Sequence, residues 1–437
     1  MIKIKVGNST SKVTGLTNKQ FGDLSKLMSY DIDPSAAYFS GRAHNTRRSL
    51  LSRQGEFPTG LEYLFWQWKS TILDDIEVVD SRKRPKADAN LELNLPFVPY
   101  PAQLEAAVAA EKYARGILCA PTGSGKSVII ALIIWRLQVP TLVVVPSLEL
   151  KRQLTESLRA CFGRLHHITV ENVDALNPEV VDAKHKCVII DEFHHSAAKT
   201  YRELNKKAWK NIYYRFGMTA TPFRSLDNEK ILLESVLSQV IYDLPYGLAV
   251  LSKFIVPVEA YYCEVPKVTP MKGNDRDWAT VYSELIVNNK ARNTAIAEIL
   301  FRLTCADVPT LCLVKEIKHG RILSDLTGVP FANGKDGKSQ ELIRQFNTGQ
   351  ITSLIGTDGV IGEGVDTKPA EFILLASTGK SKTQFMQNCG RGMRVHKSKE
   401  SAKVILFKDT SHKYLTRHFN SCMLYLRDEY GVKAGKL

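Results

Sequence analysis

The chain has no apolar run long enough to cross a bilayer, and none of its eight cysteines stands in a C-x-x-C pair. The first absence argues against a membrane-spanning helix. The second argues against a zinc site or a disulfide framework, so Cys119, Cys161, Cys187, Cys263, Cys305, Cys312, Cys389 and Cys422 read as reduced, mostly buried thiols. No low-complexity tract occurs, with 18 Pro and 27 Gly dispersed over 437 residues. The start, Met1-Ile2-Lys3-Ile4-Lys5-Val6, lacks the apolar core of a signal peptide and alternates as a strand does. A soluble, intracellular protein is expected.

Acidic charge is also short: 45 Asp+Glu stand against 59 Lys+Arg, a net charge of +14. The excess concentrates from Ala376 to Leu437, where 13 basic residues meet 4 acidic ones. Such a surface suits phosphate backbones through counterion release, although a lysine surplus alone is also a common solubility feature.

What is present is an α/β pattern. Residues 1 to about 80 read as a small unit with a strand at Ile2 to Val6, a helix near Asn18 to Ser29 and another through Leu61 to Leu73. The run Arg82-Lys83-Arg84-Pro85-Lys86 reads as an exposed linker. Short apolar runs follow at Ile117–Ala120, Thr141–Val145 and Val188–Ile190, separated by amphipathic helical patterns. A second set lies at Leu311–Val314, Ser353–Ile355, Phe372–Ala376 and Val404–Phe407. The spacing predicts two tandem parallel-sheet lobes plus a small N-terminal α/β accessory domain: residues 1–90, 91–247 and 248–437. Pro266 to Asp277 reads as an exposed loop.

The strand ending at Cys119 runs into Ala120-Pro121-Thr122-Gly123-Ser124-Gly125-Lys126-Ser127 and then a helical pattern. Glycines at a strand-to-helix turn let backbone N–H groups close around phosphate oxygens where the helix dipole favours anions. Lys126 is the group to reach the β and γ phosphates of ATP, and Ser127 the hydroxyl for Mg²⁺. Downstream, Val188-Ile189-Ile190 ends in Asp191-Glu192-Phe193-His194, two carboxylates at the carboxyl edge of a parallel sheet. Asp191 is suited to hold Mg²⁺ and Glu192 to deprotonate an attacking water. Acidic pairs at strand ends are often only solvated turns, and it is the phosphate loop that makes this pair specific.

With Met218-Thr219-Ala220-Thr221-Pro222 and the closing Gln387-Asn388-Cys389-Gly390-Arg391-Gly392-Met393-Arg394, the chain resembles superfamily 2 helicases of the DExH type. The resemblance implies two RecA-like lobes using ATP and Mg²⁺. It assigns coupling of hydrolysis to movement to Thr219 and Thr221, and contact with the γ phosphate to Gln387, Arg391 and Arg394, the two arginines being expected on one helical face. Tyr100-Pro101-x-Gln103 resembles the family's adenine-reading element, so that Gln103 joins Pro121, Thr122, Gly123, Ser124, Gly125, Lys126 and Ser127 around the nucleotide. Gly356-Thr357-Asp358 through Asp366 resembles the family's motif V, placing Thr357 on a nucleic-acid backbone and Asp366 on the ribose. Pro146-Ser147 with Gln153 resembles the strand-tracking element, and Asn172 stands where the family has a threonine.

Finer features, Lys315 with His319-Gly320 and Gly379-Lys380-Ser381-Lys382, are similar to phage recombination and branch-migration helicases of the UvsW kind. That likeness implies forked, branched or Holliday-type DNA as partner, a role in recombination, repair or replication, and the cytoplasm of a bacterial host. A monomer is expected. In the N-terminal unit Arg42, Arg47, Arg48 and Arg53 accompany Tyr38, Phe39, Trp66 and Trp68, a mixture able to hold phosphates and stack on bases, although aromatic residues at helical spacing are more often core. An RNA helicase, a duplex translocase and an ATP-gated clamp share these motifs.

Overall fold

Ile2, Ile4 and Val6 are buried while Lys3 and Lys5 are exposed, so the first strand is half-buried and belongs at a sheet with one covered face. In the computed structural model it pairs antiparallel with Thr10–Thr14 and parallel with Ile76–Asp80. The resulting mixed sheet has the order Glu56–Pro58, Thr10–Thr14, Ile2–Val6, Ile76–Asp80. The structure describes residues 1–31, 46–193, 199–220, 227–268, 277–335, 337–361, 367, 369–377 and 379–437. Arg42, Tyr38, Phe39, His194, Thr221 and Asp366 lie outside the described residues, as does much of the loop expected at Pro266 to Asp277.

Packing sorts the chain into two units, one comprising 1–120 and 125–244, the other 121–124 and 245–437. The small mixed sheet therefore groups with the first lobe. Its apolar face meets Leu24 and Met28, Phe57, Phe65 and Trp68, and the core is completed by Ile231 from the helix Asp227–Val236. Gly60 is needed there: a Cβ would come within 2.1 Å of the Glu234 carbonyl oxygen. The Tyr63 hydroxyl donates to the Glu234 carboxylate, and burial raises the ionisation range of both groups.

The deepest tie is Arg215, fully buried on the strand Tyr214–Thr219. Its guanidinium donates to Asn205, to the carbonyl oxygens of Trp209 and Ile212, and to Ser9 Oγ of the N-terminal sheet at 3.0 Å. These acceptors are all neutral, and burial pulls the guanidinium well below its usual range. Arg115 extends the same link by donating to the Asn8 carbonyl at 2.9 Å.

The basic run after this sheet is only partly the exposed linker expected. Lys83 and Lys86 face solvent, but Arg82 pairs with Asp80 at 2.7 Å and Glu62 at 3.1 Å, and Arg84 Nε donates to the Tyr214 hydroxyl at 3.0 Å. Of these basic residues only Arg82 is drawn partly into the surface, by Asp80 two residues before it and by Glu62, while Arg84 stays exposed beside Tyr214.

The first lobe is a six-stranded parallel sheet ordered Val240–Asp243, Arg115–Cys119, Tyr214–Thr219, Cys187–Ile190, Thr141–Val145, Ile168–Asn172. Its four central strands are buried on both faces, which explains their continuous apolar runs. The second unit carries a seven-stranded sheet, wholly parallel, ordered Phe331–Ala332, Ser353–Thr357, Thr310–Val314, Phe372–Leu375, Ala402–Lys408, Val258–Glu264, Gly435–Lys436. The fold is thus two parallel-sheet lobes in tandem plus a small N-terminal mixed sheet. Among the described residues no helix is long and apolar enough to cross a membrane.

Candidate nucleotide and nucleic-acid site

Three neighbouring strands of the first lobe end at one edge. Arg115–Cys119 delivers the glycine-rich loop, Cys187–Ile190 delivers Asp191 and Glu192, and Tyr214–Thr219 lies between them. Thr219 is in register with Cys119, and its carbonyl accepts from Ala120 N–H at 3.0 Å. Burial pushes the Cys119 thiol up, keeping it protonated and inert beneath the loop.

The loop turns at two left-handed glycines, Gly123 with φ +91° and Gly125 with φ +75°. Gly125 immediately precedes the helix Lys126–Leu137, whose interior is apolar all round and buried. A Cβ on Gly125 would come within 2.6 Å of Gln103 Nε2, so glycine is what lets the loop approach this side chain. Gln103 is buried at the start of the helix Pro101–Tyr113, and its Oε1 accepts from Tyr100 N–H at 3.1 Å. The structure therefore places the glutamine assigned to adenine against the phosphate loop.

Lys126 Nζ donates to Glu192 Oε1 at 2.7 Å. Glu192 takes a left-handed backbone, φ +48°, uncommon for a non-glycine residue, and its N–H donates to Asp191 Oδ1 at 3.0 Å. Phe193 holds this turn down: it is fully buried, and Gly217 makes room for it, since a Cβ there would lie 2.5 Å from the phenyl ring. Sequence reasoning missed Phe193 and Gly217 as positioning residues, although both lie inside the motifs.

These groups fit a magnesium nucleotide. Glycines whose Cβ positions are already filled form the cradle, a lysine and a carboxylate converge beside it, and Ser127 occupies the second position of the helix. Among the described residues no cluster of three or more His, Cys, Asp or Glu could hold a metal by itself.

At the same edge, Val145 is in register with Asn172, bringing Pro146, Ser147 and Asn172 together. Ser147 caps the helix Leu148–Phe162 by accepting from Leu150 N–H at 3.2 Å; Asn172 Oδ1 accepts from Asp174 N–H at 2.7 Å. Gln153 Nε2 donates to Glu149 at 2.7 Å. All three polar side chains have local structural work.

In the C-terminal unit the helix Lys382–Gly390 carries Gln387 and stops at Gly390. Arg391 and Arg394 therefore do not share a helical face: Arg391 caps the helix and is buried, a turn follows, and Arg394 forms a β-bridge with Ile255. The Met393 carbonyl accepts from Val256 N–H at 2.8 Å, which ends the helical pattern. Pro121–Ser124 groups with this unit by packing, Thr122 lying against Gly390 and Gly123 against Arg394. Thr357 is buried at the end of its strand, and the next residue, Asp358, accepts from Asn388 Nδ2 at 3.3 Å. Burial raises the Asp358 carboxyl, with Arg391 and Lys315 acting against that rise.

The N-terminal candidates separate. Arg47 and Arg53 are exposed, with Arg47 donating to the Lys26 carbonyl at 3.0 Å, while Arg48 is partly buried on the two-stranded ribbon opposite Tyr30. Trp68 is core; Trp66 is 38% exposed. His319 and Gly320 prove structural: His319 is buried and meets Asn293 at 2.9 Å, and a Cβ on Gly320 would strike the Phe331 ring.

Residues 89–224 match the family model described as type III restriction enzyme, res subunit. A protein named as a helicase in Sulfolobus islandicus filamentous virus is 26% identical over 261 residues, covering 56% of this chain and 46% of the relative. The DNA 3'-5' translocase XPB2 of Sulfurisphaera tokodaii is 23% identical over 396 residues, covering 78% of this chain and 87% of that one. Among solved structures, the DNA-bound type ISP restriction-modification enzyme LlaBIII matches with a TM-score of 0.58 at 13% identity, covering 85% of this chain and 34% of that chain, a likeness of fold. The chain spans about half the length of several curated relatives it matches.

Proposed function

From the motifs of the site and the chain's likeness to proteins named as helicases and a translocase, we propose that it hydrolyses ATP to unwind or branch-migrate forked and branched DNA in recombination, repair or replication. The observation that carries this reading is the meeting of Lys126 and Glu192 at 2.7 Å beside the phosphate loop, each following one of the two strands that flank the one ending in Thr219.

In this reading the backbone N–H groups of Gly123 to Ser127 bind the phosphates, and Lys126 leaves Glu192 to neutralise their charge. Glu192, freed of the lysine, takes a proton from the attacking water through its Oε1. The Ser127 hydroxyl and Asp191 would hold magnesium, which would supply charge neutralisation for the nucleotide. Arg391 and Arg394 add positive charge where it develops on the transferred phosphoryl group, Gln387 helps to position it, and Gln103 and Asp366 hold base and ribose. Thr219 and Thr221 pass the change in nucleotide state to the residues that hold the strand. Pro146, Ser147, Gln153, Asn172 and Thr357, with the arginines of the N-terminal unit, form that strand path. The motif resemblance to phage branch-migration helicases supports branched DNA as the substrate.

One observation favours a second reading, movement along duplex DNA without strand separation: a relative matched over 78% of this chain and 87% of its own length is named a translocase. The deciding experiment is strand displacement with ATP and Mg²⁺ on a DNA fork, a four-way DNA junction and an RNA duplex of equal length. Product from the fork or junction, absent with Lys126→Ala, supports the helicase. Stimulated ATPase without product moves the reading to the translocase, or to a clamp if bound roadblocks also stay in place, and product from the RNA duplex alone moves it to RNA.

A further inference from the structure

The C-terminal lobe contains a cavity of about 670 Å³ that the nucleotide chemistry does not use. We propose that it accepts one unstacked nucleobase of the bound strand; this deepens the nucleic-acid reading above and rests on it.

The cavity lies outside the carboxyl ends of three adjacent parallel strands. Lys315 follows Thr310–Val314, Asp358 follows Ser353–Thr357, and Ser377 lies just beyond Phe372–Leu375. The chain leaves Thr310–Val314 to build strands on one side of it and returns to build Phe372–Leu375 and Ala402–Lys408 on the other. Such a reversal of strand order opens a ligand crevice in an α/β sheet.

The walls have the chemistry of a base site. Trp278 is partly buried and its indole is fixed edge-on by Tyr282 at 5.6 Å, Tyr414 at 6.1 Å and His418 at 4.4 Å, so it presents a held aromatic surface. The lining also carries amides: Gln384 Nε2 donates to Asn388 Oδ1 at 3.1 Å, and Asn388 continues to Asp358. A connected amide row of this kind meets the mixed donors and acceptors of a base edge. Lys315 and Lys380 are exposed at the lining, and Lys315 Nζ stands 5.5 Å over the Tyr282 ring. The segment from Ala376 onward holds the chain's strongest basic excess. An aromatic surface, amides and flanking lysines together match a single strand whose base leaves the stack while its phosphates remain on ammonium groups. The volume suits a ligand of nucleotide size, since sites for such molecules run from about 300 to 1,000 Å³.

The test compares binding of a thymidine oligomer of about 20 nucleotides with an abasic oligomer of identical charge, using the full chain and fluorescence anisotropy. The native protein is expected to prefer the base-bearing strand by about tenfold. Trp278→Ala should abolish most of that preference while leaving abasic affinity and DNA-independent ATPase unchanged, and Trp278→Phe should keep it. Lys315→Gln should weaken both oligomers alike and reduce the salt slope by about 0.7. A preference that survives Trp278→Ala, or an equal loss on both strands, overturns the pocket. Equal binding of both oligomers by the native protein also overturns it while sparing the helicase reading; binding of neither overturns the strand-binding reading as well.

Discussion

Lys126 Nζ and Glu192 Oε1 form a 2.7 Å ion pair in which the side chains are only 12% and 15% exposed. Because this lysine is the one a phosphate must recruit, the pair competes with the nucleotide. Glu192→Gln removes one charge of the pair while leaving the lysine, so we expect ATP to bind about fivefold more tightly, corresponding to about 1 kcal/mol for a partly buried pair. Turnover should fall by about 100-fold or more with the base gone. Titration with a fluorescent nucleotide beside a steady-state ATPase assay measures both; weaker binding in Glu192→Gln would remove the competition argument.

Gly125 combines φ +75° with a Cβ position already occupied by the Gln103 amide. Gly125→Ala should therefore cost about 1–3 kcal/mol of loop strain and lower nucleotide affinity by at least about fivefold. Adding Gln103→Ala relieves the contact but not the backbone, so the double variant should regain folding stability only in part. Calorimetric titration and thermal melts of the two variants check this, and full recovery would show that φ is not limiting.

Burial drives the imidazole of His319 down to about 3, with Arg292 adding to the shift. A histidine neutral in the fold and protonated in the unfolded chain binds more protons when unfolded between its two pKa values. Stability from this residue is therefore complete above the ordinary value of about 6.5 and declines as pH falls toward 3, by up to about 1.4 kcal/mol per pH unit. His319→Gln should flatten the melting temperature between about pH 6.5 and 4 relative to the native chain. An unchanged slope would assign the acid sensitivity to other groups.

Arg215→Met leaves Asn205, Ser9 and two carbonyl oxygens without their donor in a dry interior. We expect a loss of about 3–5 kcal/mol and faster proteolysis near Ser81, whose N–H donates to the Val6 carbonyl of the N-terminal sheet. Arg215→Lys should rescue little, having three donors on a single nitrogen. A melt within about 2 °C of the native chain would contradict this.

The central strands were legible because burial on both faces writes them as unbroken apolar runs, as in Thr141–Val145, whose bounds match the reading from sequence. Edge strands such as Phe331–Ala332 and Gly435–Lys436 were not, since two residues carry no period and exist only through their partners. The phosphate loop and acidic pair were readable from spacing. The break after Gly390 was not, because Arg391 and Arg394 keep helical spacing while Val256 and Ile255 supply the strand contacts that end the helix. Arg215 gave no signal at all: one arginine within an apolar strand does not announce which distant acceptors surround it.

The same arginine orders events during synthesis. The N-terminal sheet is complete once residue 80 has left the ribosome, yet Ser9 waits for Arg215 and the sheet's apolar face waits for Ile231. At about 5–20 residues per second, that interval lasts on the order of ten seconds, during which a core otherwise closed by its own helices lacks the Ile231 side chain. A fragment ending before residue 231 therefore keeps the core built by its own residues but lacks the Ile231 side chain, and one ending before residue 215 also lacks the Arg215 guanidinium that ties the sheet to the first lobe.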